Sequence, residues 1–288
     1  MAGLVSILLL AHNKAAHTER CLESLLASSY RPVEILAVDN GSVDRTGEVL
    51  AAFVERARTA DLAFETVRLP ENVGAVRGRN ASLERLRGEW IVFLDNDVAV
   101  RTRSWLERFT RYFEGNARSG AVGPKLVYPN PPHAIQCAGC DVTKGGRVIF
   151  RGRGEPRETP VYGEPREVQA LISACWMMPA ARVRELGPLD ERFSPAQFED
   201  IDYCYRLRAA GYACVVLPKV EMYHFENVTT DGTPALNYRY VTVKNGLKFK
   251  EKWGHVTATE PGPEDAAWSW REIPAVRPDE IGALETVP

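Results

Sequence analysis

The stretch Trp90-Ile91-Val92-Phe93-Leu94-Asp95-Asn96-Asp97 decides the fold that we predict for this chain. Its first five residues are all apolar, which is typical of a strand covered on both faces, as in a parallel sheet. Asp95 and Asp97 follow at positions i and i+2, so their carboxylates point to the same side of an extended chain. Ligands of open parallel sheets bind at the carboxyl ends of the strands. We therefore expect the chemistry of this protein to lie where this strand ends.

Strands and helices alternate on both sides of this stretch. Apolar runs predict strands at residues 4–11, 33–38 and 62–69, and helical spacing predicts helices at 17–26, 44–57, 80–86 and 105–113. This order predicts an α/β fold with a mainly parallel central sheet and helices on both of its faces.

The second half of the chain is less regular. Residues 145–165 are rich in Gly, Pro, Arg and Glu, and we expect an irregular insertion there. Beyond it, the pattern predicts strands at 168–178 and 213–217 and helices at 180–186, 198–210 and 235–253. Residues 257–288 are expected to pack weakly. Trp268 and Trp270 in this tail should pack on the domain, with contact to a membrane surface or a partner as the alternative.

Composition argues against several classes of protein. The 288 residues are 45% hydrophobic and 26% charged with a formal net charge of −2, so the chain lacks the basic surface of a nucleic-acid-binding protein. No apolar run approaches the length of a membrane span, and the N-terminus lacks the basic start of a signal peptide. Four of the six cysteines lie in apolar segments, which fits a reducing cytoplasm. Cys137 and Cys140 lack the second pair that a zinc site would need.

Three polar clusters follow three of the predicted strands at one edge of the sheet. They are Asp39-Asn40-Gly41-Ser42, Asn72 with Gly74, and Asp95-Asn96-Asp97. Two adjacent carboxylates repel each other unless a cation lies between them. Oxygen ligands with open coordination positions suit Mg²⁺ or Mn²⁺ holding a diphosphate. The alternative is a set of solvated turns whose polar side chains only cap the next helices.

A second acidic cluster and a histidine lie further along the chain. Glu199 and Asp200 stand at the start of a predicted helix, where either can act as a general base. The alternative is that they only stabilise the N-terminal end of that helix. His224 follows a strand, where it can bind a metal or pack among its aromatic neighbours.

Seven motifs occur in a fixed order between residues 4 and 254. They are 11–13, 38–46, 72–74 with 79–80, 95–97, 187–193, 198–202, and 244–245 leading to 252–254. Together they resemble the family 2 glycosyltransferases, inverting enzymes with the GT-A fold, and in particular the bacterial rhamnosyl- and galactofuranosyl-type branch. The resemblance implies one domain at 1–254, with a nucleotide-binding half at 1–115 and an acceptor-binding half at 116–254. A C-terminal tail at 255–288 would follow it.

The resemblance also implies catalytic roles for individual residues. Asp200 would be the catalytic base, and Glu199 beside it would orient the acceptor. Asp95 would face both the ribose and the metal, Asp97 would bind the metal directly, and His224 would be a third metal ligand. The expected cofactor is Mn²⁺ or Mg²⁺, and the expected mechanism is a single in-line displacement with inversion.

The donor implied by the resemblance is a UDP-, dTDP- or GDP-linked sugar. Asp39 would recognise the nucleotide base. The other residues expected to bind the donor are Ala11, Asn13, Asn40, Asn72, Gly74, Asn80 and Asn96. The acceptor would be a carbohydrate, a lipid-linked glycoside or a small-molecule glycoside. We expect a cytoplasmic protein, with attachment to the inner face of the membrane and homodimer formation as open options.

Two rival functions share these features. A nucleotidyltransferase also has an α/β sheet and acidic metal sites, but it usually needs a Gly-rich basic loop for a triphosphate, and the sequence shows none. A non-catalytic sugar- or partner-binding module would have no need of Asp95, Asp97 and Asp200. Pyrophosphate release would identify the first rival, and failure to hydrolyse the donor would identify the second.

Overall fold

Twelve strands and seven helices make up the regular structure of residues 2–226 and 237–288, the part of the chain that this computed structural model describes. The strands are β1 Val5–Ala11, β2 Val33–Asn40, β3 Ala63–Leu69, β4 Trp90–Asp95, β5 Val98–Val100, β6 Ser119–Val127, β7 Ile135–Cys137, β8 Cys140–Val142, β9 Val148–Phe150, β10 Arg166–Val168, β11 Cys175–Pro179 and β12 Ala213–His224. The helices are α1 Ala15–Leu26, α2 Thr46–Thr59, α3 Gly74–Asn80, α4 Trp105–Gly115, α5 Ala180–Leu186, α6 Glu199–Ala209 and α7 Tyr238–Thr257.

The first half of the central sheet is parallel, as predicted. The strand order β3-β2-β1-β4 places β1 in the middle, and every residue of β1 is buried. Its register pairs Ala11 with Asp39 of β2 and Leu10 with Asp95 of β4. The polar ends of β2 and β4 are therefore brought to the same edge of the sheet, on either side of β1.

The second half of the sheet is mixed. The order continues β4-β11-β6-β12-β10, and β11 runs antiparallel to both β4 and β6. The strand expected at 168–178 is in fact two strands, β10 and β11, which lie at different places in the sheet. Strand β6 was not predicted, because Gly120, Gly123 and Pro124 interrupt its apolar pattern. The α/β class itself is confirmed.

The third helix lies earlier than predicted. It covers 74–80 instead of 80–86, where only a short 3-10 turn at Leu83–Arg85 occurs. Two glycines lower its intrinsic helix propensity and hide it from the sequence pattern. Gly78 is needed for packing, since a Cβ there would come within 2.9 Å of the Leu10 side chain. Tertiary contact with β1 therefore selects this helix over its local preference.

The irregular insertion and the tail are both anchored to the domain. In the insertion, β9 pairs with β8 in a small sheet of its own. Val287 at the end of the tail forms a bridge with Thr102, and Arg20 of α1 donates hydrogen bonds to the carbonyls of Pro278 and Gly282. The helix predicted at 235–253 is observed as α7, and positions 235 and 236 lie outside the described residues. Within the described ranges, no helix is long and apolar enough to cross a membrane.

Candidate active site

A cleft of about 1680 Å³ opens at the edge of the sheet where β1, β2 and β4 end. It is larger than the roughly 300–1,000 Å³ that ordinary small-molecule sites occupy. The predicted site residues that line it are Asn40, Asn72, Gly74, Asp95, Asn96, Asp97, Glu199, Asp200 and His224. The structure thus brings together residues from both halves of the chain. Ala11, Asn13, Asp39 and Asn80 are not among the residues that line it.

Asp97 and His224 form a buried pair on one wall of the cleft. They meet because β5, which follows Asp97, pairs antiparallel with β12 and sets His224 opposite Val98. Nε2 of His224 lies 3.5 Å from Oδ1 of Asp97. Burial alone would raise the pKa of Asp97, but the neighbouring imidazole outweighs this effect and lowers it. Burial would likewise lower the pKa of His224, and Asp97 raises it instead.

This pair fits a divalent cation. Two ligands each about 2.1 Å from one octahedral ion stand roughly 3.0 Å apart, close to the separation observed here. Nδ1 of His224 is buried and has no hydrogen-bond partner among the described residues, so the ring is not committed to a structural network on that side. Mg²⁺-type sites often use only one or two protein ligands together with substrate phosphates.

Asp95 is paired with a buried cation. Its Oδ1 accepts a hydrogen bond from Nη2 of Arg79, which is buried in α3. Burial raises the pKa of Asp95, and the guanidinium opposes that effect. Within residues 2–226 and 237–288, no three His, Cys, Asp or Glu side chains are arranged as a complete metal cage. Asp97 and His224 are therefore the two side chains that could hold a cation, and Asp95 lines the same cleft while bound to Arg79.

Arg79 also reaches the second acidic cluster. Its Nη1 lies 3.2 Å from Oε1 of Glu199, while Oε2 of Glu199 is buried and has no partner in the described part of the chain. Burial, with Asp200 close by, raises the pKa of Glu199 to about 8. Burial beside Asp200 therefore favours the protonated form of the Glu199 carboxyl group, which can donate a hydrogen bond.

Asp200 is half-buried and firmly oriented. Its Oδ2 accepts a hydrogen bond from the Ser173 N–H at 3.0 Å, and its Oδ1 accepts one from the Ile201 N–H at 2.8 Å. Burial raises the pKa of Asp200, and these two N–H groups oppose the shift by favouring the charged form. Each oxygen keeps further acceptor capacity, so the carboxylate can still take up a proton from the cleft.

The turn before α6 places Glu199 and Asp200 in the lining of the cleft. Gln197 and Phe198 both adopt the left-handed conformation, with φ of 76° and 72°, which non-glycine residues rarely do. Nδ2 of Asn245 in α7 donates to the carbonyls of Phe193, Ala196 and Gln197 at 2.7, 2.8 and 3.1 Å. These three hydrogen bonds from Asn245 offset the backbone strain at Gln197 and Phe198 and fix the first turn of α6.

A polar shelf stands opposite, at the ends of β2 and β3. Nδ2 of Asn40 donates to Oδ1 of Asn72 at 3.0 Å, and Oδ1 of Asn40 accepts from the Val73 N–H at 3.0 Å. Gly41 and Gly74 both have positive φ, and a Cβ on either would come within 2.6 Å of neighbouring backbone or of Pro195. Only glycine fits these two turns, so the shelf has a fixed shape.

Of the four predicted residues outside the cleft lining, Ala11, Asn13 and Asp39 lie in or next to the turn behind this shelf, and Asn80 holds a different segment. Oδ1 of Asp39 accepts from the Ser42 N–H at 2.8 Å, Oδ1 of Asn13 accepts from the Val43 N–H at 2.8 Å, and Ala11 is fully buried beside them. Nδ2 of Asn80 donates a hydrogen bond to the Leu189 carbonyl at 2.9 Å, and Oδ1 of Asn80 accepts one from the Leu189 N–H at 2.9 Å. Asn96, although in the cleft wall, donates to the Asn13 carbonyl and to Thr18.

Sequence reasoning placed Arg79 in a family motif without a role of its own, and it expected the tail tryptophans to pack on the domain or to contact a membrane surface or a partner. Arg79 is separated from Glu199 by 120 positions, so no local pattern could have linked them. Trp268 and Trp270 of the tail line the outer part of the same cleft. The tail is therefore a wall of the site, which its composition did not indicate.

Residues 6–136, which carry β1 to β4 and the shelf, match the protein family model described as Glycosyl transferase family 2. Residues 6–136 of this chain therefore belong to glycosyltransferase family 2. Two similar proteins extend the match beyond those residues. The N-acetylglucosaminyl-diphospho-decaprenol L-rhamnosyltransferase of Mycobacterium tuberculosis is 28% identical over 255 residues, 82% of this chain and 80% of that protein. Protein y4gI of Sinorhizobium fredii is 30% identical over 247 residues.

The extent of these matches differs. The alignment with y4gI covers 82% of this chain but only 26% of that larger protein. Among solved structures, GalNAc-T7 with UDP, GalNAc and Mn²⁺ superposes with a TM-score of 0.70 at 18% identity, over 87% of this chain and 49% of that one. The predicted GT-A fold and the prediction of a glycosyltransferase family are thereby confirmed.

Proposed function

We propose that this family 2 protein transfers a sugar from a nucleotide diphosphate donor to an acceptor hydroxyl, with inversion and with the help of a divalent cation. One observation carries the proposal. A single cleft holds the rigid polar shelf, the Asp97–His224 pair and the oriented carboxylate of Asp200. These are the three parts that such a transfer needs: a place for the nucleotide, a place for its diphosphate, and a base.

The shelf formed by Asn40, Asn72 and Gly74 would bind the nucleotide of the donor. The turn held by Asp39 lies behind it, and we propose that Asp39 acts there by shaping the pocket for the base. Residues 1–115 would thus serve as the donor half of the domain, and residues 116–254 as the acceptor half.

Asp97 and His224 would hold the cation, and Asp95 would lie beside the ribose. When bound, Mn²⁺ or Mg²⁺ would neutralise the charge that develops on the departing diphosphate. The ion pair with Arg79 would hold the Asp95 carboxylate apart from both Asp97 and Asp200.

Asp200 would remove the proton from the attacking acceptor hydroxyl. Its two backbone hydrogen bonds fix the carboxylate without using all of its acceptor sites. Positioned general-base catalysis of this kind contributes about 10²–10⁴ in rate. Glu199 would orient the acceptor through a hydrogen bond between its carboxyl group and an acceptor hydroxyl.

The acceptor stays open among a carbohydrate, a lipid-linked glycoside and a small-molecule glycoside. The mycobacterial relative is named for L-rhamnosyl transfer to N-acetylglucosaminyl-diphospho-decaprenol. A deoxyhexose donor and a lipid-linked acceptor are accordingly the first pair to test.

The test separates binding from chemistry. Thermal shifts with UDP, dTDP and GDP, each with and without Mn²⁺, identify the base, because a ligand at about 100 times its Kd stabilises by about 2.7 kcal/mol. With the matching nucleotide sugar, Asp200→Asn should keep this shift and lose donor turnover. Asp61→Asn is the control, since Asp61 is exposed, lies outside the cleft lining and has a positive φ that Asn tolerates. Equal loss of binding and turnover in Asp200→Asn would count against the assignment, as would a protein that no nucleotide stabilises.

A further inference from the structure

The outer part of the cleft is lined by exposed apolar side chains. Val243 and Leu247 of α7 are each 64% exposed, and Trp268 and Trp270 of the tail are 39% and 42% exposed. Only eight large hydrophobic side chains in the described part of the chain are exposed in this way, and these four line one cleft. Such clustering marks a binding surface, whereas single exposed apolar residues are ordinary.

The apolar face of α7 is not needed for folding. The helix packs on the domain through Val241, Asn245 and Phe249, which are spaced four residues apart and are buried. Val243 and Leu247 lie on a different face at the same spacing, so they point away from the packed side. Their exposure to water is unfavourable unless something else covers them.

The opposite wall is held rigidly. The Arg153 guanidinium lies 3.8 Å from the centre of the Trp270 ring, and its Nη1 and Nη2 donate to Glu226 at 2.7 and 2.9 Å. Nε of Arg153 also donates to the carbonyl of Arg271 at 2.8 Å. Nε1 of Trp268 donates to the Val148 carbonyl at 3.2 Å. Contacts with Arg153 and with the Val148 carbonyl therefore position the two indoles.

Cationic side chains border this apolar groove. Arg147, Arg239 and Lys250 line it and are exposed, while Glu272 is the acidic residue at its tail side. Arg147 lies over the Trp268 ring at 5.3 Å. An apolar strip bordered by positive charge is complementary to a molecule that has both a hydrocarbon chain and an anionic group.

We propose that the groove between α7 and the Trp268–Trp270 segment binds the apolar chain of the acceptor. Arg147, Arg239 and Lys250 would bind the phosphate that links the chain to the acceptor sugar. This inference rests on the proposed function and narrows it to an amphiphilic acceptor, a sugar carried on a polyprenyl-type phosphate. The volume of the cleft supports this inference, since it exceeds the space that a nucleotide sugar donor alone would fill.

Binding of farnesyl diphosphate tests the groove without any transfer. Tryptophan fluorescence is titrated with farnesyl diphosphate and with inorganic diphosphate, in EDTA so that no cation occupies the donor site. The double variant Val243→Ser/Leu247→Ser should weaken farnesyl diphosphate binding about tenfold or more, because several buried methylene groups are lost. Val161→Ser is the matched control, since Val161 is 59% exposed but does not line the cleft.

The outcomes separate this inference from the proposed function. If farnesyl diphosphate binds no better than inorganic diphosphate, or if the control loses as much affinity as the double variant, the groove is not an acceptor site. Co-sedimentation with phosphatidylcholine–phosphatidylglycerol vesicles is measured as well. If the double variant keeps its affinity for farnesyl diphosphate and loses only vesicle binding, the surface docks on membranes and the inference is overturned. Mn²⁺-dependent donor hydrolysis should persist in the double variant, and its absence from the unaltered protein would instead refute the proposed function.

Discussion

Replacement of Arg79 by Met is the most informative single change in the site. Arg79 is 1% exposed, and its guanidinium bonds to Asp95 on one side and to Glu199 on the other. Met keeps a long flexible side chain that can fill most of the space, but it removes the charge and all five N–H donors. The variant therefore isolates the electrostatic contribution of the buried cation.

The expected loss of stability follows from the two carboxyl groups that lose their cation. The Glu199 side chain is buried and the Asp95 side chain is 31% exposed, so the loss of about 3–5 kcal/mol for breaking a fully buried ion pair is an upper bound here. The cost depends on pH, because both carboxyl groups can escape it by taking up a proton. Without Arg79 their pKa values in the folded state rise above the folded-state values of the unaltered protein. The loss of stability is then largest at high pH and shrinks as the pH falls through these folded-state pKa values.

Urea unfolding at about pH 5 and about pH 8 measures this difference. Arg77→Met is the control, because Arg77 lies on the same helix and pairs with Glu191 at 3.0 Å, with both side chains more than half exposed. An exposed pair of this kind contributes about 0–1 kcal/mol. If Arg79→Met costs no more than Arg77→Met, or if its cost is the same at both pH values, Arg79 is not the electrostatic link that the geometry indicates.

Three further changes test the surrounding groups. Glu199→Gln should flatten the pH dependence of unfolding, because a carboxyl whose pKa rises from 4.5 to about 8 on folding loses stabilising effect as the pH increases between those values; an unchanged slope would show that Glu199 titrates normally. Asp97→Asn and His224→Gln should each raise the Mn²⁺ concentration needed for nucleotide-dependent thermal stabilisation by at least about tenfold, measured against each variant's own metal-free melting temperature; an unchanged Mn²⁺ requirement would remove the residue from the metal site. Asn80→Ala should lower the free energy of unfolding by about 1–3 kcal/mol, because both backbone groups of buried Leu189 lose their partner; normal stability with weaker nucleotide binding would instead favour a donor-binding role.

The parallel half of the fold was predictable because its signals are local. β1, β2 and β4 are mostly apolar runs that are followed by or end in polar residues, with Ser6 and Glu34 as polar residues inside them. Parallel strands bring such ends together whatever the rest of the chain does. The shelf of Asn40, Asn72 and Gly74 and the position of Asp97 follow from that rule alone. The cleft could therefore be located from the sequence.

The remaining features depend on contacts between distant segments. Strand β6 contains two glycines and a proline that a single sequence reads as a loop, and it forms because β11 and β12 pair with it on both sides. Arg79 has the sequence environment of an ordinary helix surface, yet it is buried because α3 packs between β1 and the start of α6. The tail has few apolar residues, and its place in the cleft depends on Arg153, more than one hundred positions away. No periodicity or composition can encode such pairings.

The antiparallel strand β11 explains why Asp200 and the end of β4 lie in one site. Residues 173 and 174, just before β11, contact both: the Asp95 N–H donates to the carbonyl of Ala174 at 3.0 Å, and the Ser173 N–H donates to Asp200 at 3.0 Å. Adjacent residues therefore tie the end of β4 to the first turn of α6. A parallel strand beside β4 would have entered from the opposite end of the sheet and left this edge without the connection. The mixed sheet order is thus the structural reason that Asp200 lies in the same cleft as Asp97 and His224.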